Sequence, residues 1–148
     1  MILSINTTDG EYIELTLSQS SLLLLYKKIK AKYKQSEKLL SEIDKMLNDK
    51  KIKKFLHKNN DHLDKKSIIS GIIVVNGPGP FTATRIGVTI ANALAYAWQV
   101  NIVAINKKDF NNIESMINKG VELLKNNKTN NIVEPFYDME PNITKSKK

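Results

Sequence analysis

The spacing of apolar positions changes several times along the chain. Residues 1–5 form a short apolar run, followed at Asp9-Gly10 by a strong two-residue hairpin signal. Residues 11–17 then alternate, with Ile13, Leu15 and Leu17 on one face and Tyr12, Glu14 and Thr16 on the other. A period of two predicts a half-buried strand. Residues 21–29 read as a third strand, leucine-rich at first and charged at Lys27 and Lys28, so the opening is an antiparallel meander. From residue 35 to about residue 56 the period lengthens. Leu39, Leu40, Ile43, Met46 and Leu47 recur at three- and four-residue steps, which predicts an amphipathic helix with Ser36 as its N-cap. Residues 50–66 are polar and lysine-rich, and either continue this helix or form a loop.

Residues 68–75 are nearly all apolar and β-branched, the pattern of a strand covered on both faces. The run Asn76-Gly77-Pro78-Gly79-Pro80 is a rigid turn. A helix from Thr82 or Thr84 to Trp98 follows, then a strand over residues 101–105. Strand, turn, helix and strand make a right-handed βαβ unit. A last helix over residues 110–125, capped by Asp109 or Asn111, leads through a loop to a proline-containing tail. The expected class is α/β: a five-stranded mixed sheet flanked by helices, as in one half of a ribonuclease-H-like (actin-like, ASKHA) fold. Residues 1–105 would form this lobe and residues 106–148 a C-terminal helix and extended tail.

Composition narrows the chemistry. The 148 residues include no cysteine, so disulfides and thiolate chemistry are absent, which is compatible with the cytoplasm. His57 and His62 match no ligand spacing, and neither a metal nor a cofactor is expected. No apolar run approaches the roughly 18 residues of a membrane span, and polar residues arrive too early at the N-terminus for a secretory signal. The net charge is +8, carried by 22 lysines and the single arginine Arg85, among 16 asparagines. Lysine gives point charges without the forked base readout of arginine. The excess reads as a solvated surface capable of weak, non-specific tRNA contact.

The residues Gly77, Pro78, Gly79, Phe81, Thr82 and Arg85 lie where phosphate-binding loops lie, between a buried strand and a helix. Pro78 and Pro80 lack N–H donors, however, and neither a Gly-Lys-Ser/Thr nor a dinucleotide fingerprint follows. The loop is expected to be structural, with at most a weak anion contact, and Arg85 to pin the loop or the helix end. In the helix beyond, Gly87, Ala91 and Ala95 repeat every four residues as a slim stripe suited to close helix approach. Ile86, Ile90, Ala93, Leu94 and Ala97 make the other faces apolar too. A helix apolar nearly all round needs cover on both sides, from the helix at Ser36 or from a second protein. Trp98 is either an interface anchor or core. No Ser/His/Asp set can be assembled by spacing, and Ser70-Gly71 is not a nucleophile elbow.

The run from Asn76 to Val88, Asn-Gly-Pro-Gly-Pro-Phe-Thr-Ala-Thr-Arg-Ile-Gly-Val, resembles the Gly-Pro-Gly-Ser-Phe-Thr-Gly-Leu-Arg-Ile-Gly signature of the TsaB family. Ile2-Leu3-Ser4-Ile5-Asn6-Thr7-Thr8 is similar to its Ile-Leu-Ala-Ile-Asp-Thr-Ser opening. Gln35-Ser36-Glu37-Lys38-Leu39 is similar to its His-Ser-Glu-x-Leu helix start, and Glu134-Pro135-Phe136-Tyr137 to its closing Glu-Pro-x-Tyr. Asn6 stands for an aspartate, Gln35 for a histidine, Pro80 for a serine, Ala83 for a glycine and Asn92 for a lysine. Between Ile105 and Ile113 the family carries most of a second lobe, so residues 106–148 would be its remnant. The resemblance implies a non-catalytic dimerization subunit of the bacterial complex that adds a threonylcarbamoyl group to tRNA adenosine. It would bind a TsaD-like catalytic subunit, with a TsaE-like ATPase in the assembly. The expected interface is Leu39, Ile43, Met46, Gly87, Ala91, Ala95 and Trp98, half of an intermolecular four-helix bundle that would also serve a homodimer. On this reading Ala91→Trp should break the assembly and spare the fold. The alternatives are a basic RNA-binding accessory domain, using residues 50–66 and Lys145, Lys147 and Lys148, and a minimal nucleotide-binding ribonuclease-H-like domain.

Overall fold

The computed structural model describes residues 1–59, 68–126 and 132–137. Strands β1 (Ile2–Asn6), β2 (Tyr12–Gln19) and β3 (Leu22–Lys30) form the expected meander, and β4 (Gly71–Gly77) and β5 (Asn101–Asn106) join it in one five-stranded sheet. The order is β3-β2-β1-β4-β5. β1 pairs antiparallel with β2 and parallel with β4, and β4 pairs parallel with β5.

The register explains why the middle of β4, Ile72 to Val75, is apolar. Leu3 lies between Leu17 and Ile72, and Ile5 between Leu15 and Val74. All six point into one core, closed by helices α1 (Gln35–Leu47) and α3 (Phe81–Trp98). The alternate residues Ile73 and Val75, with Val103 and Ile105 of β5, pack on the opposite face against Met116, Ile117 and Val121 of α4 (Ile113–Asn126). Ile72, Ile73, Val74 and Val75 each meet a helix layer on one side or the other, so none of the four can be polar without cost.

Helix α1 presents Leu39, Ile43, Met46 and Leu47 to the first core. Truncating Ile43, 2% exposed, to alanine is expected to cost about 2–5 kcal/mol of unfolding free energy. A urea titration checks this, and a midpoint unchanged from wild type would show that the helix contributes little to the core.

Several boundaries differ from the sequence reading. The helix does not run on to residue 56. It ends at Asn48, and Asp49 turns extended and caps a separate helix α2 (Lys50–Lys58) by accepting the Lys51 N–H at 2.9 Å. Ser36 is not the N-cap of α1; Lys34 holds that position without a side-chain bond. Helix α3 starts at Phe81, one residue before Thr82. A 3-10 turn (Lys107–Asp109) follows β5, and α4 begins only at Ile113. Asn112, rather than Asp109 or Asn111, supplies the start signal, accepting the Ser115 N–H at 2.8 Å. His62, most of residues 59–66 and the final lysines lie outside the described residues.

The signature loop and a candidate docking face

The turn between β4 and α3 is wedged between two other segments. On one side is Asn6-Thr7-Thr8, at the end of β1. The Thr7 hydroxyl donates to the Ala83 carbonyl at 2.6 Å, inside the first turn of α3. Asn6 Oδ1 accepts from the Thr8 N–H at 3.0 Å and the Thr8 hydroxyl at 2.7 Å, while its Nδ2 donates to Glu14 at 2.9 Å. Asn6 is thus spent on holding the turn. Glu14 also accepts from the Tyr26 hydroxyl at 3.0 Å and sits 3.5 Å from Lys28. Burial, the Glu14 hydrogen bond and its charge push the Tyr26 phenol up to about 12.

On the other side of the turn lies the tail. Asn92 on α3 grips Val133 at both backbone groups, accepting its N–H at 2.9 Å and donating to its carbonyl at 2.8 Å. Asn76 donates to the Glu134 carbonyl at 3.0 Å, and its own carbonyl accepts the Phe136 N–H at 2.7 Å. Gly77, at φ 131°, takes a conformation that L side chains rarely adopt, and a side chain there would collide with the Phe136 carbonyl. Tyr137 closes the strap by stacking on Phe81, with centroids 4.8 Å apart. Glu134-Pro135-Phe136-Tyr137 and the glycine–proline signature are therefore one structural unit. Replacing Asn92 with alanine removes both side-chain bonds. It should free residues 132–137 for limited proteolysis at about a tenfold higher rate, equivalent to about 1–2 kcal/mol of strap stability. An unchanged cleavage rate would show that Val133 packing alone holds the strap.

Gly79 rests against the Thr8 backbone and Thr84, and the Thr84 N–H is committed to the Pro80 carbonyl at 2.9 Å. Pro78 and Pro80 supply no donor. Arg85 packs at the helix end, against the first residue of α3. Its guanidinium lies over the Phe81 ring, 5.7 Å from the centroid, on the outer side of α3. The arrangement is a junction of inward-facing hydrogen bonds, although Asn76 Oδ1 and Thr84 Oγ1 are buried in it without a hydrogen-bond partner.

Helix α3 is where the structure departs furthest from the expected site. Gly87, Ala91 and Ala95 face the chain's own sheet, and Ala91 is fully buried. Gly87 packs directly against the Thr7 side chain, with no room for a Cβ. Leu39, Ile43 and Met46 are likewise enclosed in the core, and Trp98 is half-buried against it. These seven residues hold the lobe together and do not form an outward surface. Ala91→Trp would strike the core.

The uncovered side of α3 is offset from that stripe by two residues. Thr82, Arg85, Thr89, Ala93 and Ala97 are exposed, and Ile86 and Ile90 are partly exposed. Thr89, Ala93 and Ala97 again repeat every four residues, giving an outward row of short side chains. Phe81 is 46% exposed at one end of the helix, and Tyr96 is 82% exposed near the other. On α1, Leu40 is 52% exposed. Ser36, Phe81, Thr82, Arg85, Ile86, Thr89 and Ile90 line a groove of about 510 Å³. An adjoining depression of about 560 Å³ shares Phe81, Thr82 and Ile86 and reaches Asp9, Glu11, Lys32 and Tyr33. There Glu11, 3.0 Å from Lys32, holds the ammonium above its usual range. The polar residues Thr82, Arg85 and Thr89 were the sequence signal for this outer face. The bulky Val88, beside Gly87, Ala91 and Ala95, marked the inner one.

Among the described residues no group of acidic, histidine or cysteine side chains is placed to hold a metal ion, and no helix is long and apolar enough to cross a membrane.

The comparisons with known proteins bear on the family and the fold. The family model of TsaD, tRNA N6-adenosine threonylcarbamoyltransferase, matches residues 30–120. No curated protein sequence matches significantly. Among solved structures, YeaZ from Pseudomonas aeruginosa superposes with a TM-score of 0.55 at 21% identity, covering 71% of this chain and 43% of that one. An uncharacterized protein with similarity to peptidase YeaZ, also from Pseudomonas aeruginosa, gives the same TM-score and identity, covering 71% and 42%. The chain thus spans less than half the length of these structures, and the likeness is one of fold. With the family model covering α1, α2, β4, α3, β5 and half of α4, the chain belongs to the TsaD family.

Proposed function

We propose that this chain is a non-catalytic, TsaB-like scaffold subunit that docks a TsaD-like catalytic subunit within a tRNA threonylcarbamoyladenosine-modifying assembly. The docking surface is the outer face of α3, centred on Ile86, Thr89, Ile90, Ala93 and Ala97, with Phe81 and Leu40 at its rim. The observation that carries this reading is the row of short and aliphatic side chains left bare on a helix whose other side is already buried. Short side chains permit a partner helix to approach at close interaxial distance, and partly exposed isoleucines supply the apolar area. The same geometry would admit a second copy when the partner is absent, and a TsaE-like ATPase would join the assembly rather than this face.

Family membership supplies the tRNA-modification context, and the inward-turned glycine–proline turn supports a structural rather than a nucleotide-binding role for Gly77, Pro78 and Gly79, while Thr82 and Arg85 line the outer groove. The direct test is co-elution in size-exclusion chromatography with the TsaD-like subunit from the same genome. A 1:1 complex is expected. Separate elution at micromolar concentrations of both chains would refute the role.

A further inference from the structure

We infer that α2 is a binding surface for the phosphate backbone of nucleic acid, an RNA in the setting of this family. This goes beyond the docking role, which gives the chain no nucleic-acid contact, and it rests on a different element. The nine residues of α2 include five lysines and no acidic residue. Lys50, Lys54 and Lys58 are exposed and follow one another at four-residue steps, a row about 12 Å long on a helix rising about 1.5 Å per residue. Lys51 and Lys53 flank the row and are also exposed. The apolar residues lie on the opposite side: Ile52 is 1% exposed, and Leu56 packs against the main core.

Among the described residues none of the five α2 lysines makes an ion pair. The ion pairs seen among the described residues, Lys28–Glu14, Lys32–Glu11, Lys45–Glu42 and Lys119–Asp109, leave the α2 lysines out. The neighbouring acid, Asp49, is engaged at the Lys51 N–H. Five cations on one exposed face, none of them in an ion pair among the described residues, make a strip of positive potential that attracts a polyanion. Two features select the class of polyanion. The apolar face of α2 is committed to the core, so the helix cannot sink it into a lipid interface as a membrane-surface helix does. The cations are all lysines, which contact phosphates as point charges and lack the fork that reads bases. The predicted binding is therefore to nucleic-acid phosphates, without base specificity and strongly salt-dependent.

The test is fluorescence anisotropy with labelled unfractionated tRNA, using the full chain at several salt concentrations. Wild type is compared with a triple variant, Lys50→Gln, Lys54→Gln and Lys58→Gln. The control is Lys30→Gln, Lys107→Gln and Lys125→Gln, an equal charge change on exposed lysines of other elements. Glutamine keeps good helix propensity, and circular dichroism confirms that both triples fold. For wild type the affinity should fall steeply with salt. In the α2 triple the slope of log K against log salt should drop by about 2–3, roughly one for each lost phosphate contact. Its affinity at low salt should fall at least tenfold, while the control changes less than threefold. Three results would overturn the inference: no tRNA binding by wild type, equal losses in both triples, or α2-dependent binding to phosphatidylserine vesicles without binding to tRNA.

Discussion

Replacing Gly87 with valine is expected to lower the unfolding free energy by about 3–5 kcal/mol, combining overpacking with the loss of a buried hydrogen bond. The position has no space for a Cβ because the Thr7 side chain lies directly against the helix. Thr7 cannot simply rotate away, since its hydroxyl is bonded to the Ala83 carbonyl at 2.6 Å and the residue is 1% exposed. Pushing α3 outward would also strip Val88 and Ala91 from the core they share with β1. One effect acts the other way: glycine is worth about 1 kcal/mol less than alanine inside a helix, and valine recovers part of that. Steric exclusion outweighs propensity here, because overpacking and the lost bond cost about 3–5 kcal/mol against less than about 1 kcal/mol recovered. A urea titration of the variant decides the matter. An unchanged or raised midpoint would mean that the close contact between α3 and the end of β1 is not required.

The second large effect concerns association. Ile90→Asp, on the outer side of α3, should weaken binding to the TsaD-like subunit by about 100-fold or more, in the range of an interface hot spot losing at least 2–3 kcal/mol. A carboxylate there would have to be desolvated on docking, a cost that the apolar side chain it replaces does not carry. Ala93→Trp should act in the same direction by holding the partner helix off. Because Ala93 is exposed, that variant should keep its wild-type unfolding midpoint. Calorimetric titration against the partner reads both variants. Wild-type affinity in both would move the interface away from this face.

Much of the lobe was legible in the sequence, because each strand announces its burial by pattern. The strict alternation of Ile13, Leu15 and Leu17 gives the core-facing side of β2, although Thr16 and Ser18 on its other side are buried as well, and the unbroken run of Ile72, Ile73, Val74 and Val75 gives a central strand covered on both faces. Boundaries set by a single side chain were harder. The break between α1 and α2 depends on Asp49 capping Lys51, in a stretch where the apolar period carries on at Ile52 and Leu56.

The orientation of α3 could not be settled by counting small residues. Two slim rows run along this helix, Gly87-Ala91-Ala95 and Thr89-Ala93-Ala97, and only the second faces outward. The first is slim because the helix lies close on the sheet, as Gly87 against Thr7 shows. The tail presented the opposite difficulty. Residues 132–137 have no periodicity, and their placement depends on side chains remote in sequence: Asn92, Asn76 and Phe81. The similarity of Glu134-Pro135-Phe136-Tyr137 to a family closing segment marked the strap without revealing what it fastens.

Whether α3 meets the partner is read most directly by hydrogen exchange of the chain alone and mixed with the TsaD-like subunit. Slowed exchange concentrated in residues 81–97, with residues 101–106 of β5 unaffected, is the predicted result. Protection confined to β5 or α4 while α3 exchanges as in the free chain would contradict it.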